Sequence, residues 1–341
     1  MKVIWIPKHG KPDVLELRTR PDPIPGPGEV RIRVRASGIN FADIMARQGL
    51  YPDAPSPPMV VGYEVSGVID SVGEGVTDRS EGQRVLAMTR FGGYAEAVCV
   101  DTAQTFLMPE QMSFEEGAGL PVTYLTAYHM LFNVFRLRAG DRVLIHQAAG
   151  GVGTAASQIC RSVGGVTTYG TASEAKHDHV RDNGCDHPID YHSKDYADEV
   201  RRLTGGRGVD CVLDALGGDD WKKGFSLLRP GGLLISFGWA NMAKKGKRRL
   251  THLLGEVTHV PLWTPIRLMQ QNKGVAGVNM GRLWDESDLI LDAFRALVKL
   301  YEQRLIKPHI DRSFAFEHAA DAHAYIEAGQ NRGKVLLTPS P

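Results

Sequence analysis

The chain has 341 residues, enough for two domains and a large core, and 43% of them are hydrophobic, an ordinary share for a soluble protein. A formal net charge of +1 gives no global attraction to nucleic acid or to an anionic membrane, and no run of about eighteen apolar residues supplies a bilayer span. Cys99, Cys160, Cys185 and Cys211 form no Cys-x-x-Cys pair, which fits free thiols in a reducing cytoplasm rather than a disulfide framework or a zinc knuckle.

In chain order, Met1–Pro7 reads as a strand, too short and too soon broken by Pro7 to be a signal peptide. After the turn cluster Pro25–Glu29, Val30–Ala36 alternates strictly and predicts a half-buried strand. Val65–Val72, Arg84–Met88 and Tyr94–Val100 read as further strands. Short strands between glycine-rich turns predict a barrel-like β domain over residues 1–125.

From about residue 126 strands alternate with helices. Asp141–Ile145 is a short apolar run, followed by His146-Gln147-Ala148-Ala149-Gly150-Gly151-Val152-Gly153 and then by a helix-forming stretch, Thr154–Val163, that stops at Gly164-Gly165. The glycines therefore lie on a strand-to-helix turn. There the chain must bend tightly, keep side chains out of the way and point free N–H groups at an anion. An ordinary glycine-rich turn is the alternative, disfavoured by the strand and helix around it. Val166–Tyr169 predicts a second strand, Ser173 a cap for a helix running to about Gly184, and Val209–Asp214, Gly232–Phe237 and Val275–Val278 further strands. This is the pattern of a doubly wound parallel sheet over residues 126–284.

Residues 242–271 fit neither pattern. Lys244–Arg249 is basic and an apolar stretch with Trp and Pro follows. It reads either as a solvated loop and a helix over a cleft, or as a lid or a surface touching anionic lipid. Residues 285–341 give an amphipathic helix from Glu286 to about Gln303, a helix around Ala319–Ala328 and a strand, Lys334–Leu337, that returns to the first domain. His177 and His179 are two apart, a spacing that points them to different sides of a helix and disfavours a metal site built on them.

An NAD-binding turn carries an acid about twenty positions on, for the ribose hydroxyls. Here that point reads Tyr169-Gly170-Thr171-Ala172-Ser173, and Glu174 suits the first turn of a helix instead. Small hydroxyls with Lys176 fit a 2′-phosphate, which an acid would repel. The cofactor indicated is NADP(H) rather than NAD(H).

With these residues the chain resembles the medium-chain dehydrogenase/reductase superfamily, and within it the zinc-independent quinone oxidoreductase branch. The resemblance runs from Gly38–Asp43 to Gly333–Leu337 and includes that branch's form of the glycine fingerprint. His187–His192 and Ile306–Asp311 are similar to the subgroup named for the synaptic-vesicle amine-transport membrane protein. The implied fold is α/β, a Rossmann-like doubly wound sheet inserted in a β-rich, GroES-like catalytic domain, with the cleft between them. In the zinc-dependent members a Gly-x-Cys motif supplies one metal ligand and Gly-His-Glu another; here the matching positions are Asn40 and Gly62-Tyr63-Glu64. The four-cysteine structural lobe is missing before Gly93-Tyr94-Ala95-Glu96. Without thiolate and imidazole, neither site suits zinc.

The same resemblance implies a pocket lined by Asn40, Asp43, Tyr51 and Thr126. Asn40 and Tyr51 would hold or polarise a substrate oxygen and Thr126 would sit near the nicotinamide. Asp43 is either a pocket residue or a structural anchor. Gly150, Gly151, Val152 and Gly153 would take the pyrophosphate, and Gly170, Thr171, Ser173, Lys176 and Tyr191 would surround the 2′-phosphate. Phe237, Gly238, Asn279 and Met280 would border the nicotinamide half, with Phe237 alternatively plain core; Asn331 and Lys334 would lie near the same end of the cleft. Hydride transfer to a carbonyl builds negative charge on oxygen, which zinc would stabilise. Without zinc, the pocket suits quinones and conjugated enones or enals, which spread the charge themselves. The expectation is a cytoplasmic NADPH-dependent reductase, dimeric through the edge strand Val275–Val278. Its alternative is a nucleotide-binding protein with vestigial reductase activity that works through partner or membrane contact.

Overall fold

The computed structural model describes residues 1–241 and 260–340, which form two compact units, Met1–Leu125 with Met280–Pro341 and Thr126–Asn279. The basic stretch Lys244–Arg249 and most of residues 242–271, read either as a loop and helix over a cleft or as a lid or lipid surface, lie outside the described residues.

The first unit begins with β1 (Lys2–Trp5) paired antiparallel to β2 (Glu16–Thr19). There follow β3 (Glu29–Ile39), helix α1 (Phe41–Gln48), β4 (Glu64–Val72), β5 (Arg84–Met88), β6 (Ala97–Asp101), β7 (Thr105–Leu107) and helices α2 (Phe114–Gly119) and α3 (Pro121–Tyr128). β3 runs three residues past the alternating stretch that announces it. Its last four residues are all buried, because β4, α2 and the returning C-terminal strand cover it on every side, so alternation stops where two-sided burial starts. Tyr94 and Ala95, expected in a strand, lie before β6. They are drawn instead to β1, where the Ile4 N–H donates to the Tyr94 carbonyl at 2.9 Å.

The second unit carries β8 (Arg142–Ile145), α4 (Gly151–Val163), β9 (Thr167–Ala172), α5 (His177–Asp182), β10 (His187–Asp190), α6 (Tyr196–Leu203), β11 (Val209–Asp214), α7 (Asp219–Leu227), β12 (Leu228–Ser236), α8 (Pro265–Gln271) and β13 (Gly274–Gly277). Its strands are all parallel in the order β10-β9-β8-β11-β12-β13. This is the doubly wound arrangement, with the order reversing at β8 and β11. Val143–Ile145 and Cys211–Leu213 at its centre are fully buried, as strands covered on both faces must be. The Ser173 hydroxyl makes no cap bond. A 3₁₀ turn, Glu174–Lys176, intervenes before α5, and it is the Ser173 carbonyl that accepts, from Lys176 N–H at 2.9 Å.

The chain then returns to the first unit through α9 (Ser287–Glu302), β14 (Ile310–Ala315), α10 (Ala319–Glu327) and β15 (Lys334–Thr338). The first unit's large sheet has the order β14-β15-β3-β4-β5-β7, with β6 also on β3. β15 pairs antiparallel with β3, setting Val335 opposite Ile39. Ile39, Val335 and Leu337 join a core with Ile4, Ile6, Tyr94 and Phe316.

Candidate functional site

In the second unit β8 ends at Ile145 and the chain turns through His146–Gly150 into α4. Gly150 occupies the N-cap and no side chain caps the helix. The first N–H groups of a helix have no acceptor within it, and its dipole is positive there. Gln147 takes the left-handed conformation, at φ 53°. Its N–H donates to Thr171 Oγ1 at 3.2 Å, and the Ala148 N–H donates to the Thr171 carbonyl at 3.0 Å. A Cβ on Gly153 would lie 2.6 Å from Ala148 Cα, so glycine is what lets α4 pack on the turn. Open amides at a helix start, with no side chain over them, fit a pyrophosphate.

The expected 2′-phosphate residues divide. Ser173 and Lys176 stand in the turn after β9. On the neighbouring strand Asp190 pairs with Ala172, which sets the exposed Tyr191 level with Ser173. Thr171 and Gly170 are instead buried beneath the glycine turn. The Thr171 hydroxyl is shared between Gln147 N–H and His146 Nδ1, the latter at 3.1 Å. A Cβ on Gly170 would come within 2.7 Å of both Ala148 Cβ and Cys185 Sγ. Both residues shape the cradle from below. His146, which opens the glycine stretch but carries no role in the sequence pattern, is fully buried, which holds its imidazole below the ordinary histidine range.

Phe237 and Gly238 follow β12, and Asn279 and Met280 follow β13, at the carboxyl ends of adjacent strands. Phe237 is half-buried and its N–H donates to the Asp214 carbonyl at 3.0 Å. Thr126, buried on α3, begins this unit.

The first unit gathers Asn40, Asp43 and Lys334 into one buried cluster, and adds Glu64. Asn40 is the N-cap of α1, and Asp43, at the third position of that helix, accepts from the Asn40 N–H at 2.8 Å. The other Asp43 oxygen accepts from the Gly62 N–H at 2.8 Å. Both oxygens thus anchor main chain. Burial pushes the Asp43 carboxyl up to about 7, against the pull of these two donors. Asn40 Nδ2 donates to Glu64 Oε1 at 2.8 Å, Lys334 Nζ donates to Asn40 Oδ1 at 2.7 Å, and Lys334 also pairs with Glu64 Oε1. Glu64 Oε2 accepts from the Val122 N–H at 2.7 Å. The Lys334 ammonium, expected near the cofactor, therefore has its partners in this cluster, because β15 carries it alongside the end of β3. Asn331, in the turn before β15, donates to the Gly333 carbonyl at 3.0 Å. Tyr51 is half-buried with its ring edge-on to Tyr63, centroids 6.0 Å apart. Burial raises both phenols above the ordinary tyrosine range.

The positions that carry zinc ligands in metal-dependent relatives do not suit zinc here. Asn40 and Glu64 close on an ammonium, and Tyr63 offers a buried phenol in place of imidazole. Among the described residues no group of three His, Cys, Asp or Glu could hold a metal ion.

Residues 26–110 match the alcohol dehydrogenase GroES-like domain family and residues 183–337 the zinc-binding dehydrogenase family. The human synaptic vesicle membrane protein VAT-1 homolog is 48% identical over 307 residues, 90% of this chain and 78% of that protein. A 2-haloacrylate reductase from Burkholderia is 32% identical over 89% of each chain. Among solved structures, Escherichia coli quinone oxidoreductase complexed with NADPH superposes with a TM-score of 0.88 at 28% identity, over 99% of this chain and 100% of that one.

Proposed function

This chain belongs to the medium-chain dehydrogenase/reductase superfamily, close to the VAT-1 homologues, and from that premise we propose that it is an NADPH-dependent reductase of quinones or conjugated enones and enals. The observation that carries the reading is the uncapped glycine turn before α4, with Ser173, Lys176 and Tyr191 at the ends of the two strands beside it and no acid on the second strand's end. Similarity to a quinone oxidoreductase that binds NADPH and to a reductase of haloacrylate, itself an activated alkene, supports the same choice.

NADPH, when bound, supplies the hydride. The chain's own residues then bind and orient. The helix start takes the pyrophosphate, and Lys176 with Ser173 and Tyr191 takes the 2′-phosphate. Phe237, Gly238, Asn279 and Met280 border the nicotinamide. Asn40 and Tyr51 donate hydrogen bonds toward the substrate, Thr126 stands near the nicotinamide, and Asp43 holds Asn40 in place. A conjugated acceptor delocalises the charge that zinc would otherwise carry, so a few donors suffice. The protein works in the cytoplasm as a homodimer paired through β13. That strand is bonded on one side to β12, and the exposed Leu262, Ile266 and Met269 lie just before it in the chain.

Steady-state NADPH oxidation against a panel of quinones, enones and 2-haloacrylates is the test; no acceptor turned over above the background rate would end the reading. The VAT-1 relatives' name favours a second one, an NADP(H)-binding protein acting at membranes with vestigial turnover. It predicts NADPH binding without oxidation in the same assay. Among the described residues no helix is long and apolar enough to cross a membrane.

A further inference from the structure

We propose that Lys334 and Glu64 form a buried clamp on the Asn40 side-chain amide, holding it in one orientation with its second Nδ2–H left as the donor to the substrate oxygen. The proposal rests on the reading of Asn40 as a substrate-facing residue and goes beyond it by assigning two positioning residues. Asn40, Glu64 and Lys334 are 9%, 0% and 4% exposed.

An asparagine amide is nearly symmetric in shape, so its orientation follows from its partners. Here the partners are of opposite kind. A carboxylate only accepts and an ammonium only donates. Asn40 Nδ2 meets Glu64 Oε1 at 2.8 Å and Oδ1 meets Lys334 Nζ at 2.7 Å. Turning the amide over would set Oδ1 against the carboxylate and NH₂ against the ammonium. Each contact would become like against like in a site closed to water, where unpaired polar groups are costly.

The clamp is itself held. Glu64 Oε2 is tied to the Val122 N–H, and Lys334 and Glu64 neutralise each other. Asp43 bonds the Asn40 N–H with one oxygen and the Gly62 N–H, two residues before Glu64, with the other. The main chain and the amide of Asn40 are both fixed as a result. One Nδ2–H is spent on Glu64 and the second has no partner among the described residues. An ammonium on Oδ1 draws electron density through the amide and strengthens that remaining N–H as a donor. It is a metal-free way to place partial positive charge at a substrate oxygen.

Three variants and two readouts test this. Glu64→Gln with Lys334→Met removes both charges at similar volume, Asn40→Ala removes the amide, and Lys334→Arg keeps a donor. With an acceptor that the wild type reduces, the double variant should lose roughly tenfold to a hundredfold in kcat, the scale of one misplaced oxyanion donor, while NADPH affinity stays within about twofold. Added to Asn40→Ala, the double change should cost little more, because it acts through the same amide. Lys334→Arg should recover most of the lost kcat. An unchanged kcat, a loss that adds fully to that of Asn40→Ala, or weakened NADPH binding at unchanged kcat would overturn the clamp; the last would put Lys334 on the cofactor. The second readout needs no turnover and no variant at Glu64 or Lys334. In asparagine-¹⁵N-labelled wild type, the Asn40 side-chain amide, assigned by its loss in Asn40→Ala, should show one slowly exchanging proton, the one bonded to Glu64. Exchange at the rate of a free amide would refute the clamp. Slow exchange with no turnover on any acceptor would leave the clamp standing and sink the reductase reading.

Discussion

Gly153→Ala tests the cradle most directly, because the structure shows what the new methyl would meet. Its Cβ would lie 2.6 Å from Ala148 Cα and 2.8 Å from the Ala148 carbonyl carbon, with the Gln147 carbonyl oxygen also in the way. These are backbone atoms of the turn itself, so no side chain can swing aside. Reaching an ordinary contact of 3.4 Å at Ala148 Cα requires the turn and α4 to part by at least about 0.8 Å, and the nearer Gln147 oxygen requires more. Overpacking of this kind costs about 1–3 kcal/mol, which in a unit of this size lowers the melting temperature by roughly 5 °C. The same displacement pulls the helix-start amides from the pyrophosphate. Losing one charge-assisted hydrogen bond weakens NADPH by about tenfold to a hundredfold. Gly150→Ala is the control for stability, because its Cβ meets only the Gln147 carbonyl oxygen, at 3.3 Å, and a shift of a few tenths of an ångström relieves it. Calorimetry and a fluorescence titration with NADPH read both effects. A Gly153→Ala protein that melts and binds NADPH like the wild type would refute the reasoning.

Lys176→Ala should weaken NADPH by on the order of tenfold or more and leave NADH little changed, since only NADPH carries the phosphate; equal losses in parallel titrations would refute the assignment. Asp43, whose folded value of about 7 lies above the ordinary 3.8, holds its proton longer in the folded state, so its contribution to stability falls as pH rises from about 4 to about 7. The stability of wild type relative to Asp43→Asn should therefore decline across that window, and a pH-independent difference in chemical denaturation would contradict it. Elemental analysis of chelator-free protein should find less than one zinc per chain, with activity surviving prolonged chelation. Ala276→Pro, on the edge strand β13, should shift a dimer toward monomer in light scattering, because proline cannot donate to a ladder; a wild type that runs as monomer at all concentrations would remove the dimer.

The second unit was legible because its information is local. A strand, a glycine turn and a helix follow one another within some twenty residues, so Asp141–Ile145, Gly150–Gly153 and the helix to Val163 announce β8, the cradle and α4 directly. Within that same stretch, sequence alone could not say which way a small side chain faces. Thr171 was expected at the phosphate, and its hydroxyl is turned under the turn to His146. Gly170 was likewise expected around the 2′-phosphate, and what its missing Cβ clears is Ala148 and Cys185.

The cluster around Asn40 was not legible, and the reason lies in the sheet register. Asn40 and Lys334 are 294 positions apart, and Glu64 and Lys334 are 270 apart. What joins them is the pairing of β15 with β3. Val335 stands opposite Ile39 on antiparallel strands, so one step further along the ladder brings Lys334 beside Asn40. On the other flank Ser37 stands opposite Val65, which brings Gly38 beside Glu64. There a Cβ would come within 2.7 Å of the Glu64 carboxyl carbon. Gly38 therefore clears the space in which a buried carboxylate reaches an ammonium delivered by the last strand of the chain. In sequence, Gly38 is one more glycine in a β-rich domain and Lys334 one polar residue at the start of a strand. A one-residue slip of β15 on β3 would carry Lys334, and one of β4 on β3 would carry Glu64, to the other face of the sheet. The chemistry of this site thus depends on the C-terminal segment returning to the first unit in a single register.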